Sequence, residues 1–319
     1  MKTMKLGISN LETPVLAVGC MRLDGVDRKQ GEALIHGALD MGLNYFDHAD
    51  FYGYWQHHVG ICEELFAEYL PMNADMREKI ILQTKCGVKI GPNGRGGQMN
   101  IGYDFSKNYI LKCVDESLAR LKTDYLDVLL LHIPDALVEP EEVAEAFDVL
   151  QGNGKVRHFG VSNHTAFQME LLRKHVKQPI LVNQQKLSLG YSPIISAGEY
   201  CAMPDERGLS YDLGSLDYCR LHDITMQCWS PFQGGKGMIL DERAYPELNA
   251  ALEEMAGKYA TSKTALCVAW LLRHPAKLQP VTGTMNIEHL KACVDGVDIR
   301  LDRDDWYKLW MTAGNNTRA

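Results

Sequence analysis

The chain has 319 residues, of which 46% are hydrophobic and 23% are charged, and its formal net charge is -8. This composition is typical of a soluble globular protein, and the length suits one large α/β barrel or two ordinary domains. The negative charge and the lack of a basic run argue against a nucleic-acid surface. No apolar stretch reaches the roughly 20 residues that span a bilayer, which argues against a membrane protein.

The cysteines and the N-terminus indicate the compartment. The nine cysteines are scattered singly, without a Cys-x-x-Cys pair or a spacing suited to zinc. We interpret them as reduced thiols rather than as a disulfide framework. Because the N-terminus also lacks an apolar signal core, we expect a cytoplasmic protein.

A regular alternation of strand and helix patterns follows a short N-terminal hairpin. The hairpin is predicted from residues 4–8 and 11–15, with its turn at Ser9-Asn10. The predicted strands cover 16–21, 43–49, 80–86, 126–132, 156–162, 180–187, 224–230 and 278–283. Eight buried strands separated by helices indicate an α/β fold, a (β/α)8 TIM barrel whose bottom the hairpin closes. No boundary interrupts this pattern, so we predict one domain over 1–319.

Amphipathic helical patterns occupy the segments between the strands. They cover 29–41, 109–121, 141–150, 167–175, 214–222 and 262–274, and a further helix is expected at 286–293. Two connections, 88–106 and 192–213, are long and follow the third and sixth strands. Both would lie on the C-terminal face of the barrel, where barrel enzymes have their active sites, so we interpret them as loops that are functional or mobile.

Four polar side chains lie at or just beyond the C-terminal ends of predicted strands. Asp47 and Lys85 end two neighbouring strands, Tyr52 follows the first of them, and His132 ends a third. These ends converge on one rim of a parallel barrel, so the four side chains can meet. An ammonium lowers the pKa of a nearby phenol, a carboxylate holds the ammonium, and an imidazole can orient a carbonyl oxygen. The set is suited to protonating an oxygen during reduction of a carbonyl by hydride.

A series of short motifs extends this pattern along the chain. They are Phe46-Asp47-His48-Ala49-Asp50 with Tyr52-Gly53, Gln83-Thr84-Lys85-Cys86-Gly87, Leu130-Leu131-His132, Gly154-Lys155-Val156-Arg157-His158-Phe159-Gly160-Val161-Ser162-Asn163, Val182-Asn183-Gln184, Trp229-Ser230-Pro231 and Gly283-Thr284. In content and order they resemble the aldo-keto reductase family over nearly the whole chain. The resemblance implies a (β/α)8 barrel, NADPH as hydride donor with NADH as the alternative, and a small carbonyl substrate. It also implies Tyr52 as general acid, tuned by Lys85 and Asp47, with His132 positioning the carbonyl.

The resemblance also implies a set of cofactor-binding residues. Amide and hydroxyl side chains would recognise the nicotinamide carboxamide, an indole would stack on its ring, and a glycine-containing loop would fold over the pyrophosphate. The set comprises Gly19, Cys20, Met21, Ser162, Asn163, Gln184, Trp229, Ser230, Pro231, Phe232, Gly234, Lys236, Gly283, Thr284 and His289.

The sequence departs from the family pattern at three places. Ile133 follows His132 where related members often have Arg. His289 stands where the family commonly has an Arg for the 2′-phosphate, which leaves the choice between NADPH and NADH open. The segment Tyr54-Trp55-Gln56-His57-His58 replaces a short polar run, and we expect its Trp55 and His57 to contact substrate.

Two alternative functions are compatible with a barrel. One is a non-catalytic, cofactor-binding regulatory subunit of the same family, like those attached to potassium channels; the retained polar set argues against it. The other is a metal-dependent barrel hydrolase. The strand ends carry no His-x-His and no carboxylate–histidine cluster, and His57-His58 lacks a carboxylate in register, so we predict no metal. No motif specifies the physiological substrate or the oligomeric state.

Overall fold

The chain begins with an antiparallel hairpin, β1 (Thr3–Lys5) and β2 (Glu12–Pro14). The hairpin is attached to residues that begin barrel strands. Gln279 Nε2 donates to Pro14 O at 2.6 Å, and Gly7 N donates to Thr225 Oγ1 at 2.8 Å. The hairpin therefore closes the N-terminal end of the barrel, as predicted.

The computed structural model describes residues 1–92, 97–200 and 214–315, the side chains of 198–200 excepted. Eight parallel strands within these residues close into a barrel. They are β3 (Ala17–Gly19), β4 (Tyr45–Asp47), β5 (Ile81–Cys86), β8 (Leu126–Leu131), β9 (Val156–Ser162), β10 (Ile180–Lys186), β11 (Thr225–Trp229) and β14 (Gln279–Thr282). Each coincides with a predicted strand, so the predicted barrel is confirmed. The extent of one domain over 1–319 stays a prediction.

A network of glutamine side chains crosses the barrel interior. Gln279 receives a hydrogen bond from Gln227 Nε2 at 2.9 Å, and Gln227 Oε1 accepts from both Gln83 and Gln184 at 2.8 Å. The Tyr45 hydroxyl donates to Gln83 Oε1 at 2.7 Å. Because buried polar groups rigidify a core when their partners are satisfied, this network fixes the side chains that support the C-terminal rim.

Helices surround the barrel. They are α1 (Arg28–Asp40), α2 (Ile61–Tyr69), α3 (Ala74–Lys79), α4 (Lys107–Leu121), α5 (Pro140–Gly152), α6 (Ala166–Arg173), α7 (Pro193–Tyr200), α8 (Ser215–Leu221), α9 (Pro246–Tyr259), α10 (Lys263–Arg273), α11 (Ile287–Asp295) and α12 (Arg303–Thr312). The seven expected helices are present, and α2, α3, α7, α9 and α12 are additional to them. In the described part of the chain, no helix is long and apolar enough to cross a membrane.

The two long connections differ from the expected loops. The first contains an antiparallel hairpin, β6 (Val88–Pro92) and β7 (Gln98–Tyr103), so the expectation of a loop over 88–106 is wrong for these two strands. The glycines of this segment indicated a loop, but its two strands pair with each other. The second begins with α7, and its residues 201–213 lie outside the described residues. A further short hairpin follows β11, formed by β12 (Gln233–Gly234) and β13 (Gly237–Met238).

Candidate active site

Lys85 is the centre of a buried hydrogen-bonded group at the C-terminal rim of the barrel. Its side chain is fully buried at the end of β5. The Nζ atom donates to Asp47 Oδ2 at 2.8 Å, to Tyr52 Oη at 3.1 Å and to the His48 carbonyl at 2.7 Å. The three donors of an ammonium are thus all used, and the cation links the carboxylate to the phenol.

The Asp47 carboxylate is held on its other side by two amides. Oδ1 accepts from Gln83 Nε2 at 2.5 Å and from Gln184 Nε2 at 3.1 Å. Both amides belong to the glutamine network of the barrel interior. A buried charge is costly unless it is paired and hydrogen-bonded, and here both conditions are met.

Burial decides the protonation of Tyr52. It raises the pKa of the Tyr52 phenol, Lys85 opposes this rise, and Asp47 adds to it. Lys85 acts to lower this pKa, as expected, but desolvation outweighs the cation and leaves the pKa above its ordinary value. Burial acts to lower the pKa of Lys85, but Asp47 and Tyr52 outweigh burial and leave it raised. At neutral pH the phenol therefore keeps its proton beside a charged ammonium.

His132 faces the same group from the strand next to β5. Its ring centroid lies 6.0 Å from that of Tyr52 and 5.0 Å from that of Phe51. Burial, and then the nearby Lys85 charge, lower the pKa of His132 well below its ordinary value. The imidazole is therefore neutral, and its buried Nδ1 has no hydrogen-bond partner among the described residues.

The loop that carries Tyr52 is fixed by a glycine turn and by hydrogen bonds of its backbone. Gly53 has a φ of 97°, and a Cβ there would overlap Ile61 Cγ2, so only glycine fits this turn. Asp50 N donates to Lys85 O at 3.0 Å, and Arg120 Nη2 donates to Asp50 O at 3.3 Å. The Asp50 side chain is buried; desolvation, and then Glu63, raise its pKa to about 7.

A cavity of about 850 Å³ opens above this group. Asp47, Tyr52 and His132 line it, while Lys85 lies beneath its floor. Most predicted cofactor residues also line it: Gly19, Met21, Ser162, Asn163, Gln184, Trp229, Ser230, Pro231, Phe232, Gly283, Thr284 and His289. Of the two predicted substrate residues, Trp55 is part of the lining. The topology thus brings together side chains from all around the rim.

The other predicted residues lie outside the lining. Cys20 is buried, and its backbone N donates to Asp47 O at 2.9 Å. Gly234 leaves room for the Tyr245 hydroxyl, which accepts from Lys236 N at 2.7 Å. Lys236 is exposed on the β12–β13 hairpin. His57 is also exposed and is not part of the lining, and its backbone N donates to the Gly53 carbonyl at 2.9 Å.

A hydrogen-bonded wall of side chains joins His132 to Trp229. Trp229 Nε1 donates to Asn163 Oδ1 at 3.1 Å, and Asn163 Nδ2 donates to His132 O and to Ser162 Oγ at 3.1 and 2.9 Å. Asn163 has a φ of 61°, a conformation that Asn tolerates better than most residues. These contacts fix the orientation of the amide and the indole before any ligand binds.

The cavity lining beyond β14 suits an anionic group. Thr284 Oγ1 accepts from Asn286 N, and the Asn286 side chain caps α11 by accepting from Glu288 N at 2.8 Å. Arg22, across from this turn, donates to Gly283 O at 3.2 Å. A helix start with a neighbouring guanidinium attracts phosphate. This helix start and Arg22, together with the cavity volume and the hydrogen-bonded wall from His132 to Trp229, fit a nicotinamide dinucleotide.

Several lining residues were not predicted from the sequence. They are Arg22, Phe51, Gln233, Met238, Leu240, Thr264, Val281, Met285, Asn286 and Cys293. Arg22 and Phe51 directly follow or precede predicted site residues, which was an available signal. Met238 lies in β13, Leu240 follows it, and Thr264 lies in α10. None of them belongs to a motif, so only the fold reveals them.

Within the described residues, no group of three His, Cys, Asp or Glu side chains could hold a metal ion. His58, in the segment considered for a metal, instead contacts Glu64, with its Nε2 3.0 Å from Oε2.

Comparisons with known proteins agree with this geometry. The sequence model of the Aldo/keto reductase family matches residues 15–310. The chain is 36% identical to an uncharacterised oxidoreductase (YcsN) of Bacillus subtilis, covering 87% of this chain and 86% of that protein. It is 32% identical to a 6-dehydroglucose reductase of Agrobacterium fabrum, covering 88% and 87%. Its fold is similar to that of a thermostable aldo-keto reductase crystallised with the inhibitor epalrestat (TM-score 0.75, 22% identity, coverage 98% and 100%). The chain therefore belongs to the aldo/keto reductase family of oxidoreductases.

Proposed function

We propose that the protein reduces an aldehyde or ketone to an alcohol with NADPH, and that Tyr52 donates the proton. The observation that carries this proposal is the double contact of Lys85 with Asp47 and Tyr52 at the floor of the cavity. Bound NADPH would supply the hydride for the carbonyl carbon. The chain itself would supply the proton and the electrostatic stabilisation of the carbonyl oxygen.

Each member of the group has a distinct role in this proposal. Tyr52 begins the reaction protonated, because burial raises its pKa. As the proton leaves, Lys85 Nζ, 3.1 Å away, stabilises the phenolate that forms. Asp47 holds the ammonium in place and is itself held by the glutamine amides. Neutral His132 would orient the carbonyl oxygen by a hydrogen bond, which a neutral imidazole can donate.

The cofactor would lie along the polar wall and the start of α11. The amide of Asn163 and the indole of Trp229 support a nicotinamide site, since a flat ring stacks favourably on an aromatic side chain. Three features support NADPH over NADH. Arg22 and His289 line the cavity, and the carboxylate of Glu288 is paired with Lys291 at 2.8 Å, which reduces its repulsion of a 2′-phosphate.

The substrate would be a small carbonyl compound with an apolar or ring-shaped portion. Apolar side chains line the cavity together with Tyr52 and His132; they are Phe51, Trp55, Ile133, Met238 and Leu240. Two relatives at 32% identity are named 6-dehydroglucose reductases, so a sugar aldehyde belongs among the compounds to test. We also propose that the protein is located in the cytoplasm.

The test is a screen of NADPH oxidation by the purified protein over aliphatic, aromatic and sugar aldehydes and simple ketones. We expect turnover with at least one aldehyde, and a lower Kd for NADPH than for NADH by direct titration. Tight NADPH binding without turnover across the panel would contradict the proposal and favour the non-catalytic regulatory subunit. No NADPH oxidation, together with hydrolysis of an ester substrate that requires an added divalent metal, would favour the hydrolase.

A further inference from the structure

A second cavity, of about 490 Å³, lies among the helices outside the barrel. Residues of α7, α8, α10 and α12 line it, and none of them lines the cavity above Tyr52. The volume is within the range of about 300–1,000 Å³ that small-molecule sites occupy. Its size therefore suits a small molecule.

The floor of this cavity is aromatic. Trp306 and Trp310 line it and are buried, with Tyr307 beside them. Trp306 Nε1 donates to Trp270 O at 3.0 Å, and Trp310 Nε1 donates to Ser192 Oγ at 3.0 Å. Because both indole N–H groups are already bonded, the floor offers no hydrogen bond from an indole. Its accessible aromatic surface comes from half-buried Tyr307 and, in small part, from Trp306, which is 8% exposed, whereas Trp310 is fully buried.

The rim of the cavity is cationic. Arg220, Arg273 and Arg303 line it, against a single acidic lining residue, Asp217, which lies 3.6 Å from Arg220. This excess of positive charge occurs in a chain whose net charge is -8. Electrostatic attraction therefore favours binding of a small anion at this rim over binding elsewhere on the protein surface.

Helix stability explains two of these arginines but not the third. Arg220 and Arg273 lie in the last turns of α8 and α10, where a cation is favourable. Arg303 is the first residue of α12, where the helix dipole disfavours a cation. It forms no ion pair with the described residues, while the neighbouring Asp302 and Asp305 both pair with Lys258.

We propose that this cavity binds a small aromatic anion, with its ring against Tyr307 and the accessible part of Trp306 and its carboxylate or sulfonate at Arg220 and Arg303. Guanidinium groups suit this role because their planar donors match carboxylate and sulfonate oxygens. The site is separate from carbonyl reduction and does not depend on the function proposed above.

The probe for the test is 1-anilinonaphthalene-8-sulfonate, whose fluorescence rises on binding. Arg220→Ala and Arg303→Ala should each weaken binding by about tenfold, the loss typical of one charge-assisted hydrogen bond. Two arginine controls should keep the wild-type Kd: Arg243→Ala, at an exposed residue outside both cavities, and Arg22→Ala, in the catalytic cavity. The same ring system without the sulfonate should bind at least about tenfold more weakly than the dye.

Three results would overturn the proposal. The first is a wild-type Kd in both Arg220→Ala and Arg303→Ala. The second is a loss confined to Arg22→Ala, which would place the dye in the catalytic cavity. The third is equal affinity for the dye and its uncharged analogue. Circular dichroism and melting curves of each variant verify that a lost affinity reflects the site rather than the fold.

Discussion

Replacing Lys85 by Met tests how the buried group at the barrel rim is held together. The substitution keeps an unbranched side chain of similar length and removes the charge and three hydrogen bonds of Nζ. It leaves the Asp47 carboxylate, which is 3% exposed, with only the Gln83 and Gln184 amides as partners.

The expected cost follows from this environment. Breaking a buried ion pair by removing one partner typically costs about 3–5 kcal/mol, because the other charge stays buried without compensation. Asp47→Asn in the Lys85→Met background removes that charge as well. We therefore expect the double variant to lose less stability than the two single variants lose in sum, by about 1–3 kcal/mol of unfolding free energy.

The assay is equilibrium urea unfolding at pH 7, followed by circular dichroism and by tryptophan fluorescence. The matched control is Lys177→Met, because Lys177 pairs with Asp148 at 2.9 Å on the exposed surface. Such a surface pair is worth at most about 1 kcal/mol, so the control should remain close to wild type. A Lys85→Met protein as stable as the control, or strictly additive effects of Lys85 and Asp47, would refute the reasoning.

Three further predictions concern the neighbouring residues. Asp50 has a folded-state pKa of about 7, above its ordinary value, so its contribution to stability is present below about pH 4 and is lost as pH rises to about 7. The stability of Asp50→Asn relative to wild type should therefore rise between pH 4 and pH 8, by at most about 4 kcal/mol in urea unfolding. A difference in unfolding free energy between the two proteins that does not change with pH would contradict this. Trp229→Ala should weaken NADPH binding by about 0.5–1.5 kcal/mol beyond lost area, while Trp229→Phe keeps a ring and most of the affinity; equal Kd values for the two variants would exclude stacking. His289→Arg should tighten NADPH and leave NADH nearly unchanged, because a guanidinium is a permanently charged, bidentate donor to a phosphate. An unchanged ratio of the NADPH and NADH dissociation constants in His289→Arg would show that residue 289 does not contact the 2′-phosphate.

The barrel and the convergence of its rim residues were predictable from the sequence for one reason. In a parallel barrel the strand ends meet, so a residue that ends a strand is positioned by the fold class alone. The fold class was therefore enough to predict the positions of Asp47, Lys85 and His132. Tyr52 could be placed beside them because it follows Asp47 closely in the sequence. Gly53 was an equally local signal, since its turn leaves no room for a Cβ.

Other features depend on contacts that the sequence does not encode locally. The amides that hold Asp47 come from Gln83 and Gln184, which are 36 and 137 positions away. The direction of the Tyr52 pKa depends on how fully the phenol is buried, and no motif reports burial. The role of His57 at the substrate stays a prediction; it rested on the place of His57 in a segment, and the direction of a loop side chain also depends on turn geometry such as the His57 N to Gly53 O bond.

The central claim is that Tyr52 donates the proton in carbonyl reduction. The most direct measurement compares kcat for the best aldehyde in Tyr52→Phe and in Tyr54→Phe, together with the Kd for NADPH in both. Tyr54 is the matched control, because it lies two residues away and outside the cavity lining. We predict that Tyr52→Phe loses about 10²–10⁴-fold in kcat with NADPH affinity nearly unchanged, and that Tyr54→Phe keeps its activity. A kcat in Tyr52→Phe that matches the Tyr54→Phe control would contradict the claim.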